Sequence, residues 1–139
     1  MRLPNYFKFF LLPVVILLLP FSSFSQTTEQ KSSIIGNFDS ITYNFGSIFA
    51  YGWAASTKSG TPVKKVEVYI EDSLTGNAKL GTKRPDVAKV MKKEKWINAG
   101  WELGLNKKLK KGAYSCYAIV YGDKDEKTVF RFNKKLVVE

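Results

Sequence analysis

The chain has 139 residues, and its 22 Lys and Arg residues outnumber its 12 Asp and Glu residues, which gives a formal net charge of +10 at pH 7. It contains no histidine, so histidine-based acid–base and nucleophilic catalysis and zinc sites of the Cys/His type are excluded. The single cysteine, Cys116, excludes a disulfide within the chain.

The N-terminal segment has the composition of an export signal. Basic residues precede an apolar run over 9–21, and Ser23 and Ser25 are the small residues that come before a cleavage site. A membrane anchor is the alternative, but it needs about 20 apolar residues, and this run is shorter and contains two prolines. We predict a signal peptide over 1–25, cleaved after Ser25, and a secreted, periplasmic or cell-surface protein without a membrane span after cleavage.

The rest of the chain has a β-strand pattern. Residues 26–33 are polar and predict a flexible linker, whereas over 34–139 short segments of alternating apolar and polar residues are separated by turn residues. This length suffices for one domain with a core but not for two. Residues 74–77 are expected to form one of the turns. Seven strands are predicted, over 39–44, 47–56, 63–71, 77–82, 100–106, 113–122 and 127–138.

One segment, over 85–95, interrupts the strand pattern. Pro85 suits the first position of a helix, and Val87, Val90 and Met91 recur at helical spacing. Lysines near the end of the segment suit a helix C-terminus. We therefore expect a helix of about two to three turns between central strands.

Three short motifs lie within this pattern. They are Gly52-Trp53-Ala54, Arg84-Pro85-Asp86-Val87-Ala88 and Gly100-Trp101, followed by Leu109 and Gly112 before a hydrophobic strand. Together they resemble the bacterial Ig-like domains of secreted and surface proteins over residues 34–138. The resemblance implies an all-β, immunoglobulin-like β-sandwich of about seven strands with one short helix. It also implies a spacer or binding module without catalytic residues.

The second motif forms a rigid corner, because the proline ring fixes the backbone of Pro85 between two charged residues. We expect Asp86 to accept amide hydrogens in the first helical turn and Arg84 to lie over the ring of Trp53 or Trp101. A ligand site at the same corner is the functional alternative.

The tryptophans fall into two groups. Trp53 and Trp101 lie beside glycines in strand segments and are expected in the core. Trp96 follows a lysine-rich segment, where its ring either covers the end of the domain or is exposed. An exposed Trp96 could stack on sugars, as could Tyr69 or Tyr121.

Paired carboxylates are the remaining route to catalysis. Glu67 and Glu71 share a strand face, but at 3.3 Å per residue they stand about 13 Å apart, beyond the roughly 5–9.5 Å of glycosidase pairs. Lys124 interrupts the acidic turn over 123–126, so this turn is not predicted to bind calcium. Cys116 is expected to be a buried thiol, with a reactive thiol as the alternative. We predict no catalytic residue, cofactor or metal.

The clearest basic cluster consists of lysines on both sides of Leu109, namely Lys107, Lys108, Lys110 and Lys111. They are expected to face solvent, where they either keep the domain soluble or attract anionic envelope polymers. We predict a non-catalytic module with a protein or anionic glycan partner at the cell envelope. A carbohydrate-binding module for acidic glycans is the second hypothesis, and a hydrolase is the third. Nucleic acid is not expected as a partner, because export removes the protein from it.

Overall fold

A computed structural model describes residues 32–139. The predicted signal peptide and nearly all of the predicted linker lie outside these described residues. The elements are β1 (Ile34–Asn44), β2 (Ser47–Ser56), β3 (Lys65–Ile70), β4 (Ser73–Asn77), β5 (Lys79–Thr82), α1 (Pro85–Val90), a 3₁₀ helix (Glu94–Asn98), β6 (Gly100–Asn106), β7 (Gly112–Tyr121) and β8 (Lys127–Val138).

The strands form two four-stranded antiparallel sheets. Sheet A has the order β1-β2-β6-β5, and sheet B has the order β4-β3-β7-β8. If the eight strands are lettered A, B, C, C′, D, E, F and G in chain order, sheet A has the order A-B-E-D and sheet B has the order C′-C-F-G. These are the two sheets of an immunoglobulin-type sandwich. The prediction of an all-β sandwich with one short helix is confirmed.

Residues 32–139 contain eight strands rather than about seven. Residues 73–77, most of which are predicted to form a turn, form β4, and the strand predicted over 77–82 is confined to 79–82. The turn prediction is wrong because β4 pairs with β3, with Glu67 opposite Asn77 and Ile70 opposite Ser73. Tertiary pairing overrides the weak strand propensity of a segment that contains glycine and asparagine.

The core lies between the inward faces of the two sheets. Val66, Val68 and Ile70 alternate inward along β3, as the periodicity of that segment predicts. From the opposite sheet, Ile48 and Trp101 pack against this cluster, and the Trp101 side chain is only 1% exposed.

The helical segment closes one end of the sandwich. The α-helix is shorter than predicted: α1 ends at Val90, because Lys92 adopts a left-handed backbone (φ 54°) that cannot continue a right-handed helix. The 3₁₀ helix follows it. Val87 of α1 and Trp96 of the 3₁₀ helix form a second small core with Ala55 and Ala99. We call this end the helix end.

The opposite end carries the β1–β2 turn and the β6–β7 loop, and we call it the hairpin end. Ser47 at the start of β2 pairs with both Asn44 of β1 and Asn106 of β6, which places the turn and the loop side by side. Among the described residues, no helix is long and apolar enough to cross a membrane.

Candidate functional site

The Arg84 corner is an ion-pair network. The guanidinium Nε and Nη2 donate to the two carboxylate oxygens of Asp86 at 2.9 and 2.7 Å, and Nη1 donates to Asp39 Oδ2 at 2.6 Å. The Arg84 amide donates to the carbonyl of Ile97 at 2.6 Å. Each guanidinium nitrogen is therefore engaged, and the corner ties the start of α1 to β1.

These contacts correct the expectation for Arg84, which pairs with carboxylates and not with the ring of Trp53 or Trp101. The two carboxylates offer the guanidinium both charge and hydrogen bonds, so these ion pairs are more favourable than a contact with an aromatic ring face. The hydrogen bond from Arg84 is the main reason why the pKa of Asp86 falls to about 2, and the amides of Val87 and of Asp86 itself contribute in the same direction. Asp86 lies in the first turn of α1, but its carboxylate oxygens accept their hydrogen bonds from Arg84 rather than from the helix amides that it is expected to cap.

Trp101 and Gly52 fit each other across neighbouring strands. A Cβ atom at Gly52 would collide with the Trp101 ring and with the backbone of Asn37. Gly100 is similarly close to Thr82 and the Arg84 side chain. The glycines of the Gly-Trp motifs therefore make room for packing.

Trp96 does not present a stacking surface. Its side chain is 5% exposed, and the Lys93 ammonium group lies 5.2 Å from the centre of the ring. Of the two roles left open by the sequence, the ring takes the one that covers the end of the domain. Trp96 is therefore not part of an exposed binding surface, because its ring packs with Val87 and Ala99 in the second small core.

The tyrosines lie together on the outer face of sheet B. Tyr69 and Tyr117 are directly paired across β3 and β7, and their rings stack at 4.9 Å with an interplanar angle of 3°. Since neighbouring strands are separated by about the same distance, the rings stand upright on the sheet and cover each other's faces. The Lys65 ammonium group lies 4.2 Å from the centre of the Tyr121 ring. Tyr69 and Tyr121, the two tyrosines considered for stacking on sugars, therefore each have one ring face covered.

Glu67 is fixed at the centre of this group. Its Oε2 accepts hydrogen bonds from the hydroxyls of Tyr69 (3.0 Å) and Tyr121 (2.9 Å), and its Oε1 is 2.7 Å from Lys65 Nζ. The hydrogen bond from Lys65 is the main reason why the pKa of Glu67 is lowered. Glu71 accepts a hydrogen bond from the amide of Ser115 at 2.8 Å. Glu67 is thus held as a carboxylate and has no proton to donate in acid catalysis.

Cys116 is buried, as predicted. Desolvation is the main reason why the pKa of its thiol rises to about 11. The nucleophilic thiolate is therefore scarce at neutral pH. Among residues 32–139, no three side chains of the metal-ligating types lie close enough to hold a metal ion.

The four predicted lysines of the β6–β7 loop are all exposed, which confirms that they face solvent. None of them forms an ion pair within the described chain, and Glu102, the nearest acid in the sequence, lies 3.9 Å from Lys79 instead. We call this group the lysine loop, defined as Lys107, Lys108, Lys110 and Lys111.

Three hydrogen bonds hold the backbone of the lysine loop. The Lys107 amide donates to the carbonyl of Gly46 at 2.9 Å, and the Leu109 amide donates to the hydroxyl oxygen of Tyr43 at 3.1 Å. The Tyr114 hydroxyl donates to the carbonyl of Lys110 at 2.6 Å. The four ammonium groups are thus carried by an ordered loop that packs on the hairpin end.

Phe45 is a candidate functional residue that no sequence motif indicates. It lies in the β1–β2 turn, is fully exposed, and adopts a left-handed backbone with φ 49°. The sequence does indicate the hairpin turn, since residues 45 and 46 are a two-residue gap between predicted strands with glycine in second place. The structure places this turn beside the lysine loop, through the hydrogen bond from the Lys107 amide to the carbonyl of Gly46.

Comparisons of the chain with known protein families, with curated proteins and with solved structures found no match.

Proposed function

We propose that the protein is a non-catalytic, exported Ig-like module that binds an anionic component of the cell envelope through the lysine loop. One observation carries this proposal: four ammonium groups within five residues lie on a loop held by three hydrogen bonds, and none is paired with a carboxylate in the described chain. Export is taken from the signal-like N-terminus.

The ordered loop is what distinguishes this cluster from lysines that only aid solubility. Lysine side chains lose rotamer freedom when they bind, but a backbone that is already fixed removes part of the cost of ordering the surface. The same fixed backbone keeps four charges of one sign together, which raises the local positive potential that an anionic partner meets.

The second hypothesis, a module that stacks sugars on aromatic rings, has less support. Trp96 is buried, Tyr69 stacks on Tyr117, and the Tyr121 ring is covered on one face by Lys65. An acidic glycan would have to be recognised through its charge, and the lysine loop provides that contact as well. The third hypothesis, a hydrolase, is weakened by the fixed hydrogen bonds of Glu67.

Replacing the four lysines of the lysine loop with glutamine tests the proposal. The readout is retention on immobilised dextran sulfate at low and at moderate salt. We expect the variant to lose most of its retention, and the parent to lose it as salt rises, because exposed charges are screened over about 8 Å at physiological ionic strength.

The matched control makes the same change in charge near the helix end. It replaces four exposed lysines that form no ion pair in the described chain, Lys83, Lys89, Lys92 and Lys95, with glutamine. This control should keep most of the retention. Equal losses in the two variants would mean that only net charge matters and that the lysine loop is not a binding surface.

A further inference from the structure

Phe45 occupies a position that does not suit phenylalanine. Asn44 and Ser47 are paired, so Phe45 and Gly46 form a two-residue turn with φ 49° and 81°. Positive φ at both residues is typical of a type I′ turn, which favours asparagine, aspartate or glycine in first place and is unfavourable for a large side chain. The fully exposed Phe45 ring also gains nothing from burial in return. Folding alone therefore does not account for phenylalanine here.

The lysine loop lies directly beside Gly46, the second residue of this turn. The Lys107 amide binds the carbonyl of Gly46, and Lys108 Cγ is 4.0 Å from the position that a Cβ atom on Gly46 would take. An apolar side chain thus projects from the same tip as four unpaired ammonium groups.

We propose that the hairpin end docks on an anionic lipid bilayer, with Phe45 entering the boundary between headgroups and acyl chains while the lysine loop contacts the headgroups. This inference rests on the proposed function and identifies its anionic partner. A soluble polyanion would engage the lysines but offers no apolar interior in which a projecting phenyl ring can be buried. A bilayer offers apolar depth below a negative surface, so it complements both parts of the tip.

The geometry suits shallow insertion. The Gly46 carbonyl at the turn is already bonded to the Lys107 amide, so it need not lose a bond to water as the ring enters the headgroup region. β1 begins at the helix end, where Ile34 pairs with Ser56, so the described domain starts at the end opposite the tip. A docked molecule would have its helix end directed away from the bilayer.

The first experiment places a reporter at the tip. Phe45→Trp is prepared in the exported protein, with Phe49→Trp as the matched control, since Phe49 is an exposed aromatic residue on the outer face of sheet A. Each is mixed with vesicles of phosphatidylcholine alone or with phosphatidylglycerol added. The native tryptophans contribute the same background to both variants.

We expect a blue shift of the emission and quenching by lipids with brominated chains for Phe45→Trp on the anionic vesicles only. The Phe49→Trp control should show neither. The same blue shift on neutral vesicles, or no quenching at the tip, would overturn the docking proposal.

The second experiment measures binding by vesicle flotation with a variant that favours the fold. Phe45→Asn supplies the residue that this turn prefers, so it should melt at or above the temperature of the parent. Loss of the buried phenyl ring should weaken binding to phosphatidylglycerol vesicles about tenfold or more. Retention on dextran sulfate should not change.

The outcomes separate this inference from the proposed function. If Phe45→Asn binds vesicles like the parent, or if the parent binds dextran sulfate but not vesicles, lipid docking is wrong and a polymeric partner is favoured. If the four lysine-to-glutamine changes leave both dextran sulfate and vesicle binding intact, the proposed function itself fails. Loss of vesicle binding in both variants, with unchanged melting, supports the two proposals together.

Discussion

Single residues explain why two of the motifs have the sequences they have. Trp101 fills the centre of the sandwich, with its ring edge-to-face against Phe38 at 5.2 Å, and Gly52 leaves the space that the ring needs. Arg84 joins Asp39 of β1 to Asp86 of α1. In both motifs, the large or charged side chain makes its contacts within the fold.

Trp101→Ala should lower the free energy of unfolding by about 3–5 kcal/mol, because a large buried side chain leaves a cavity. Urea denaturation of the parent and the variant measures this difference. Tyr51→Ala is the matched control, since Tyr51 is an exposed aromatic residue opposite Glu102 on the same sheet, and it should cost far less. A Trp101 variant as stable as the control would contradict its place in the core.

Asp86→Asn should change how stability depends on acid. The pKa of Asp86 is lowered from 3.8 to about 2 in the folded protein, so its ion pair stabilises the fold above pH 4 and is lost as the pH falls toward 2. The parent should therefore lose stability over this range more steeply than Asp86→Asn.

The effect should be at most about 1 kcal/mol, because the Asp86 side chain is 62% exposed. Thermal melting between pH 5 and 2 measures it, and Asp72→Asn serves as the control, since Asp72 is exposed and forms no ion pair in the described chain. Equal slopes for all three proteins would exclude a contribution from the Arg84–Asp86 pair.

At the scale of elements, the start of β7 carries a feature of immunoglobulin folds. Tyr114 lies two residues before Cys116, and its hydroxyl donates to the backbone carbonyl of Lys110. This is the arrangement of a tyrosine corner, which in such folds fixes the loop before strand F. The Tyr-x-Cys spacing is visible in the sequence, but the tyrosine corner is identified by the hydrogen bond from Tyr114 to Lys110.

Tyr114→Phe should lower the free energy of unfolding by about 0.5–1.5 kcal/mol, since it removes one hydrogen bond and keeps the ring. Amide hydrogen exchange should also become faster in the lysine loop, which loses one of its three anchors. Tyr51→Phe is the control, because Tyr51 is exposed and makes no side-chain hydrogen bond in the described chain. Unchanged exchange in the loop would show that the other two anchors suffice.

Over the whole molecule, the two ends of the sandwich differ in structure. α1 and the 3₁₀ helix close one end with a second small core, whereas the other end exposes Phe45 and the lysine loop. Three hydrogen bonds hold the backbone of the lysine loop at this end. This division supports a binding role for the hairpin end and a structural role for the motif that begins α1.

The exported protein should begin at Gln26, because the apolar run ends just upstream and small residues occupy the positions before the cut. Intact mass of the protein from the secreted or periplasmic fraction measures this. A species that keeps Met1 and remains in the membrane fraction would favour the anchor instead. Either result also identifies the form to use in the vesicle experiments.

The fold class, most strand positions and the presence of one short helix could be predicted from local sequence patterns. Alternating periodicity over segments such as 65–70 is a local property, and so is the break in that pattern at Pro85. The exposure of the lysine loop could also be predicted, because four lysines in five residues cannot be buried without partners.

Only the tertiary structure decided which distant residues meet. Arg84 binds Asp39, 45 residues earlier, Glu67 binds Tyr121, 54 residues later, and Gly46 binds Lys107 at the start of the lysine loop. Strand pairing brings these residues together, and neither pairing order nor ring orientation is encoded in local periodicity. For this reason local patterns left open whether Trp96 is exposed, which the fold answers by burying it, and they did not indicate that the turn containing Phe45 lies beside the lysine loop.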